Sequence, residues 1–366
     1  MSNATDAETA STLKNFQLCY TPLLITTGLI GNSLSIHVFR NTKLKKLSSA
    51  YYLTALAVSD NVFLCSLFAT WLPIFEVNVY DRDGFCHLLV YAGDVTSFLS
   101  VWLVAAFSFE RFIAVKYPFS RQTLCTTKRA KVTILVLVTV SLIIFSHKFL
   151  FTRINYYNGS PTCDVDPSWN QFSNVFNIID FIVSYLVPVT LVIFLNVSIS
   201  RAIITLSGIR KALTQGLSSK NRNKNFMLSQ NKITKMLLVA STVFLASSCP
   251  SYVVRTLLYL HEAHLWEIKD VDSFIIAQHW SQLLFYTTFS INFYVYCVSG
   301  QNFRSALFGI FKQKGQRTET VALADSRTLS TGSSAASKRR KTQTIIIESQ
   351  EIKLQMKLSN EDCVEL

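Results

Sequence analysis

The sequence predicts an all-α membrane protein: a seven-transmembrane-helix bundle followed by a short amphipathic helix lying on the membrane surface. Three observations predict it. The chain has 366 residues, 50% of them hydrophobic and only 16% charged, too little polar material to cover a soluble surface. The apolar residues fall into seven blocks of roughly 20 or more, each long enough to cross about 30 Å of hydrocarbon as a helix. The connections between blocks alternate sharply in charge, as membrane topology requires.

The blocks run from Cys19 to Phe39, Tyr51 to Pro73, Leu88 to Ala114, Val132 to Phe151, Phe172 to Ser200, Ile233 to Leu260 and Phe274 to Val298. Helices satisfy their own backbone hydrogen bonds, which lipid cannot do for a loop or an open sheet edge. Residues 1–18 read as a polar extracellular tail with a glycosylation sequon at Asn3, and 19–300 as the transmembrane domain. In 301–312, Phe303, Leu307, Ile310 and Phe311 share one helical face, so this stretch reads as the surface helix. Residues 313–366 are polar without an apolar period and are expected to be a disordered cytoplasmic tail. Met1 to Asn15 lacks the basic start and apolar stretch of a cleavable signal, so the first helix is expected to direct insertion.

Net charge is +13, and its distribution argues against nucleic acid. On the side holding the N-terminus the basic residues are Lys14, Arg82, Lys148, Arg153 and Lys269. The first connection (Arg40, Lys43, Lys45, Lys46), the stretches Arg111 to Lys131 and Arg201 to Lys235, and the tail hold nearly all the rest. Excess Lys and Arg mark the cytoplasmic face, which places the N-terminus outside and the protein, as a multi-pass chain, in the plasma membrane. The outer connections carry Glu76, Asp81, Asp83, Asp164, Asp166, Glu262, Glu267, Asp270 and Asp272, a rim that would either attract a cationic ligand or serve as solvated loop charge. Of eight cysteines, Cys86 and Cys163 lie on this oxidising face, where a disulfide between them is permitted.

Charges inside membrane helices are costly and invite functional readings. Asp60 lies well inside the second block, and Glu110-Arg111-Phe112 closes the cytoplasmic end of the third. An acid beside a permanently charged guanidinium can lock or release a helix end. Near the outer third of the helices stand Asp94, Asp180, Arg255, His279 and Gln282, with Tyr91, Phe176, Tyr252, Trp280 and Tyr286 among them. A pocket with both charge signs suits a peptide better than a lipid. Asp94 or Asp180 would take a ligand amine or guanidinium, and Arg255 either a ligand acid or Asp180 itself.

With Gly31-Asn32, Leu56-Ala57-Val58-Ser59-Asp60, Glu110-Arg111-Phe112, Pro188, Phe244 and Pro250 in this order and spacing, the chain resembles the rhodopsin-like G-protein-coupled receptors to about residue 312. The resemblance implies a disulfide from Cys86, which lies 25 residues before Arg111, to Cys163. It implies that Glu110 holds Arg111 at rest, that Arg111 meets a heterotrimeric G protein when active, and that Phe244, Pro250, Asn292 and Tyr296 take part in activation. It further implies a sodium site at Asp60 with Ser100 and Asn292, in one polar network with Asn32; a hydrogen-bonded Asp60 without an ion is the alternative. Beyond that allosteric ion no cofactor is expected. Arrestin and receptor kinases are the partners the resemblance suggests for the tail.

The sequence also departs from that pattern. Phe293 replaces the seventh-helix Pro, Ser248 the sixth-helix Trp, Val138 the fourth-helix Trp and Asn196 the fifth-helix Tyr. The stretch Ser290 to Arg304 is similar to invertebrate neuropeptide receptors of the FMRFamide and myosuppressin type. An aminergic receptor would want an Asp where Gly93 stands, and an opsin a Lys where Tyr286 stands. No phosphate-binding Gly loop, His-Glu-x-x-His pair or aspartate dyad points to an enzyme. An uncoupled ligand scavenger or a multi-span transporter is the alternative, although no internal repeat supports transport.

Overall fold

The computed structural model describes residues 2–157, 159–214, 221–262 and 265–310. Residues 215–220 between the fifth and sixth spans, Phe311 and the tail with its expected kinase and arrestin sites lie outside the described residues, as does the side chain of Asn3.

Seven long helices follow in order: α1 (Ser2–Asn41), α2 (Ser48–Trp71), α3 (Phe85–Lys116), α4 (Thr127–Ile144), α5, α6 (Asn221–Glu262) and α7 (Val271–Ser299). α5 is composite, running as α-helix over Asn170–Asp180, as a π turn over Phe181–Leu186 and as α-helix again over Val187–Thr214. α8 covers 301–310. Six of the spans meet the length and hydropathy of a membrane crossing. α7 is a further 29-residue helix, whose Gln278, His279, Gln282 and Asn292 dilute its hydropathy. α1 starts at Ser2 rather than at Cys19, so the segment expected as a tail continues the helix; its apolar span begins at Asn15.

The helices pack α1 on α2, α2 on α3 and α4, α5 on α3 and α6, α6 on α7 and α7 back on α1. α3 touches α2, α4, α5 and α6 and so runs through the middle. Burial follows: more than half of the α3 span is buried, against less than a fifth of α4. Local chemistry sets the ends. The Thr126 hydroxyl accepts from Arg129 N to cap α4, and the Asp270 carboxylate accepts from Ser273 N to cap α7. Those Ser273 bonds hold the Asp270 carboxyl below its ordinary range.

Close approach of α1 to α7 requires glycine at position 31, where a Cβ would stand 2.8 Å from Phe293 Cβ. The Phe that replaces the seventh-helix Pro is therefore seated against α1, and α7 continues through it as α-helix. Where the resemblance expects a Trp, Ser248 is fully buried and donates to Phe244 O at 2.8 Å. Aromatic mass comes instead from Phe63, Tyr185, Tyr252, Phe285 and Phe289, with Tyr185 and Tyr252 stacked at 4.1 Å and Phe63 and Phe289 at 3.6 Å.

The connection before α5 is an antiparallel hairpin of β1 (Thr152–Tyr157) and β2 (Ser160–Val165), with Ile154 opposite Cys163. Cys163 is bonded to Cys86 in the first turn of α3. The Asp81 carboxylate accepts from Cys163 N at 2.8 Å, which adds a second tie. Five of the rim acids thus serve the backbone: Asp81 here, Asp270 at its cap, Asp166, which accepts from Ser168 N, Asp83, which accepts from Gly84 N, and Asp164, which accepts from Val165 N.

Candidate functional site

The polar groups of the bundle form three sites strung along α3. At the hairpin end, Asp94, Lys148, Asp180, Tyr252, Arg255 and Tyr259 line a cavity. Lys148 Nζ lies 3.1 Å from Asp94 Oδ2, an ion pair by distance without the angle of a hydrogen bond. Asp180 accepts the Ser184 hydroxyl one turn on. Arg255 NH2 donates to Gln282 Oε1 at 2.6 Å, and Ser251 Oγ donates to the same oxygen at 3.0 Å. Arg255 and Asp180 line one cavity but no ion pair joins them, so each keeps only a neutral partner among the described residues.

The remaining pocket candidates point elsewhere. His279 is exposed and its ring bonds to Ile275 O, while Trp280 packs on Phe16 of α1. Tyr91 donates to Leu142 O on α4, and Phe176 stacks on His147. Lys148, by contrast, is a pocket residue that its position among the outer basic residues did not reveal. The π turn also escaped the sequence reading, although Pro188, two residues past it, signals it: proline cannot donate to the carbonyl four residues back. There the Val183 carbonyl accepts the Trp102 indole N–H at 3.1 Å, tying α5 to α3.

At the middle of the bundle, Asp60 is 1% exposed. Its Oδ1 accepts from Ser100 Oγ at 2.9 Å and its Oδ2 from Asn292 Nδ2 at 2.8 Å. No cation pairs with it among the described residues. A carboxylate buried without a counter-charge is costly, and oxygen donors from Asp60 and Ser100 suit a hard cation, so these residues fit the sodium expected. Asn32 is fully buried but does not reach the carboxylate; its Nδ2 donates to Phe289 O at 2.9 Å. It ties α1 to the α7 backbone instead.

At the far end, Glu110 and Arg111 are paired, with side chains 7% and 5% exposed. Glu110 Oε1 also accepts from Ser48 Oγ at 2.8 Å, so α2 steadies the pair. Cys125, in the turn before α4, donates to Glu110 O at 3.6 Å; burial first, then the Glu110 carboxylate, pushes its thiol above the ordinary value. Near this end Asn196, where the resemblance expects Tyr, donates to Ser241 Oγ at 2.8 Å and joins α5 to α6. Tyr296 is 1% exposed and packs edge-on to Phe39 and Phe303. Phe244 is buried in α6, and Pro250 lies within that helix.

Comparison with known proteins agrees with this geometry. The family described as 7 transmembrane receptor (rhodopsin family) matches the chain over residues 31–296. The chain is 27% identical to cysteinyl leukotriene receptor 1 of Homo sapiens, over 76% of this chain and 79% of that one. It is 28% identical to neuromedin-U receptor 2 of Mus musculus, over 78% and 72%. It is 27% identical to the thyrotropin-releasing hormone receptor of the same species, over 81% and 78%.

Proposed function

We propose that this chain, which belongs to the rhodopsin family of seven-transmembrane receptors, carries an extracellular peptide signal across the plasma membrane to a heterotrimeric G protein. The family is one of signalling receptors rather than enzymes, and the chain is a multi-pass membrane protein. The observation that carries the proposal is the placement of two charged sites on one central helix. Asp94 faces the cavity and Arg111 sits in the buried pair, 17 residues apart on α3, or about 25 Å along a helix.

A peptide is favoured because neither Arg255 nor Asp180 is in an ion pair among the described residues, so a ligand carrying both signs would complete both. Relatives named for neuromedin U and thyrotropin-releasing hormone support that class. The ligand acts by population shift: it binds one arrangement of the cavity more tightly and so draws the equilibrium towards it. In that arrangement Arg111 leaves Glu110 and meets the G protein. The N-terminus faces outside, following the Lys and Arg excess at the other end. When sodium is bound, Asp60 and Ser100 hold it and it favours the resting arrangement. The relatives reported above are vertebrate receptors of other names, so the FMRFamide and myosuppressin subtype is not part of the proposal.

A second reading, an acidic small-molecule ligand, is favoured by one observation: Arg255, half-buried in the cavity wall, is in no ion pair among the described residues. The test is G-protein activation in cells expressing the chain, screened with neuropeptides and with the cysteinyl leukotrienes for which the human relative is named. A saturable response to a peptide, lost in Arg255→Ala or Asp180→Ala at equal surface expression, supports the first reading. A response to leukotrienes alone supports the second. Silence of a surface-expressed receptor to the whole panel returns the scavenger or transporter alternative.

A further inference from the structure

Four charged side chains line the cavity at the hairpin end: Asp94 from α3, Lys148, Asp180 from α5 and Arg255 from α6. Two of each sign cancel, so the wall as a whole is neutral, but the pairing within it is uneven. Lys148 Nζ stands 3.1 Å from Asp94 Oδ2, whereas Asp180 and Arg255 are in no ion pair among the described residues. The Lys148 and Asp94 side chains are 18% and 29% exposed, dry enough to strengthen the attraction and open enough for a ligand to reach. The one-turn helix Lys148–Phe151 carries the ammonium there, and that turn is pinned at its far end. Phe151 is buried and stacks on Trp169 at 5.3 Å, its carbonyl accepts from Asp166 N at 2.8 Å, and the hairpin that follows is bonded to Cys86. Lys148 is therefore a fixed part of the wall. With it in place, Asp94 is compensated from within, and Asp180 is the carboxylate left for a ligand cation. Without it, two carboxylates would face one cavity and the wall would carry one net negative charge.

We propose that Lys148 determines the charge specificity of this cavity. As the internal counter-ion of Asp94 it limits the buried end of the ligand to one cationic group, taken at Asp180, beside one acidic group at Arg255, and it rejects an end carrying two cations. The inference rests on the reading of the cavity as the ligand site. A second ligand cation would have to stand beside the Lys148 ammonium, and like charges that close in a partly dry wall cost at least about tenfold in affinity. The same arithmetic works in reverse: removing Lys148 turns the repulsion into an attraction to Asp94, and removing Asp94 leaves the ammonium free to hold a second acid.

The test is the melting temperature of the purified full-length protein in detergent, titrated with n-butylammonium, with the putrescine dication or with succinate, against potassium chloride at equal ionic strength. Variants are Lys148→Met, Lys148→Arg, Asp94→Asn, Lys148→Met/Asp94→Asn and a control, Lys269→Met, an exposed outer base outside the cavity lining. The affinity ratio of putrescine to n-butylammonium is expected to rise about tenfold or more in Lys148→Met. It stays at the wild-type value in Lys148→Arg and Lys269→Met and returns to it in Lys148→Met/Asp94→Asn. Asp94→Asn should raise succinate affinity by a similar factor, and this arm stands on its own if Lys148→Met does not fold. A ratio unmoved in folded Lys148→Met, or raised equally in Lys269→Met, would overturn the proposal. So would succinate affinity unchanged in Asp94→Asn, because a purely structural ion pair lowers the melting temperature of both single variants without moving either selectivity. No agonist or G protein enters the measurement, so a receptor silent to every peptide still decides the role of Lys148.

Discussion

Replacing Glu110 by Gln removes one charge from a pair kept out of water and changes little else. The two side chains are 5% and 7% exposed, and a Gln amide oxygen can still accept the Ser48 hydroxyl, now 2.8 Å from Glu110 Oε1. Arg111 Nε has no hydrogen-bond partner among the described residues, so Glu110 is the main hold on the guanidinium there. A hydrogen bond to a charged group contributes about 1.5–3 kcal/mol and a neutral one about 0.5–1.5 kcal/mol. The substitution therefore weakens the closed arrangement by about 1–2 kcal/mol. If the bond is released on signalling, the equilibrium moves about 5–30-fold, and an active fraction of about 1% rises to about 5–20%. The assay is agonist-free nucleotide exchange on G proteins in membranes, normalised to surface receptor, with Arg111→Ala as zero. Basal exchange equal to wild type in a surface-expressed Glu110→Gln receptor would refute the reasoning, because the pair would then be the same in both arrangements.

Three further outcomes follow from the packing and polar contacts. Cys163→Ser opens a link between residues 77 apart; loop-closure entropy sets at most about 4.5 kcal/mol for it, a ceiling because inserted helices already restrict the unfolded chain. Melting in detergent should drop, and adding Cys86→Ser should lower it no further. Gly31→Ala places a methyl 2.8 Å from Phe293 Cβ and is expected to destabilise by about 1–3 kcal/mol; Phe293→Ala in the same chain should restore part of the melting temperature, and additive losses would show that the two sites do not touch. Replacing an organic cation by sodium at constant ionic strength should weaken agonist binding to the wild type but not to Asp60→Asn. Undiminished sodium sensitivity in that variant would exclude Asp60 as the ion site.

Much of the bundle was legible because membrane crossing imposes a length and an apolarity that the residues must display. Ion pairs and hydrogen bonds are set by rotation about each helix, which a list of residues at similar depth does not carry. Gln278 and Gln282 form one stripe of α7 facing Arg255, the former bonding to the latter at 3.5 Å. His279 stands one residue, about 100°, round from Gln278 and faces out. Lys148 was read only as an outer basic residue, because a one-turn helix past the end of α4 carries it inward. The Cys86–Cys163 bond was implied by resemblance, whereas the hairpin that presents Cys163 left only a mixed polar stretch in the sequence. Asn32 was grouped with Asp60 on shared depth, yet its partner is a backbone carbonyl, which has no residue signature.

The central claim is that α3 couples the cavity to the Arg111 pair. It is tested most directly by measuring agonist binding and G-protein activation on the same membranes for wild type and Arg111→Ala. The account predicts saturable binding in both and activation only in the wild type. Activation that survives Arg111→Ala at equal receptor density would contradict it.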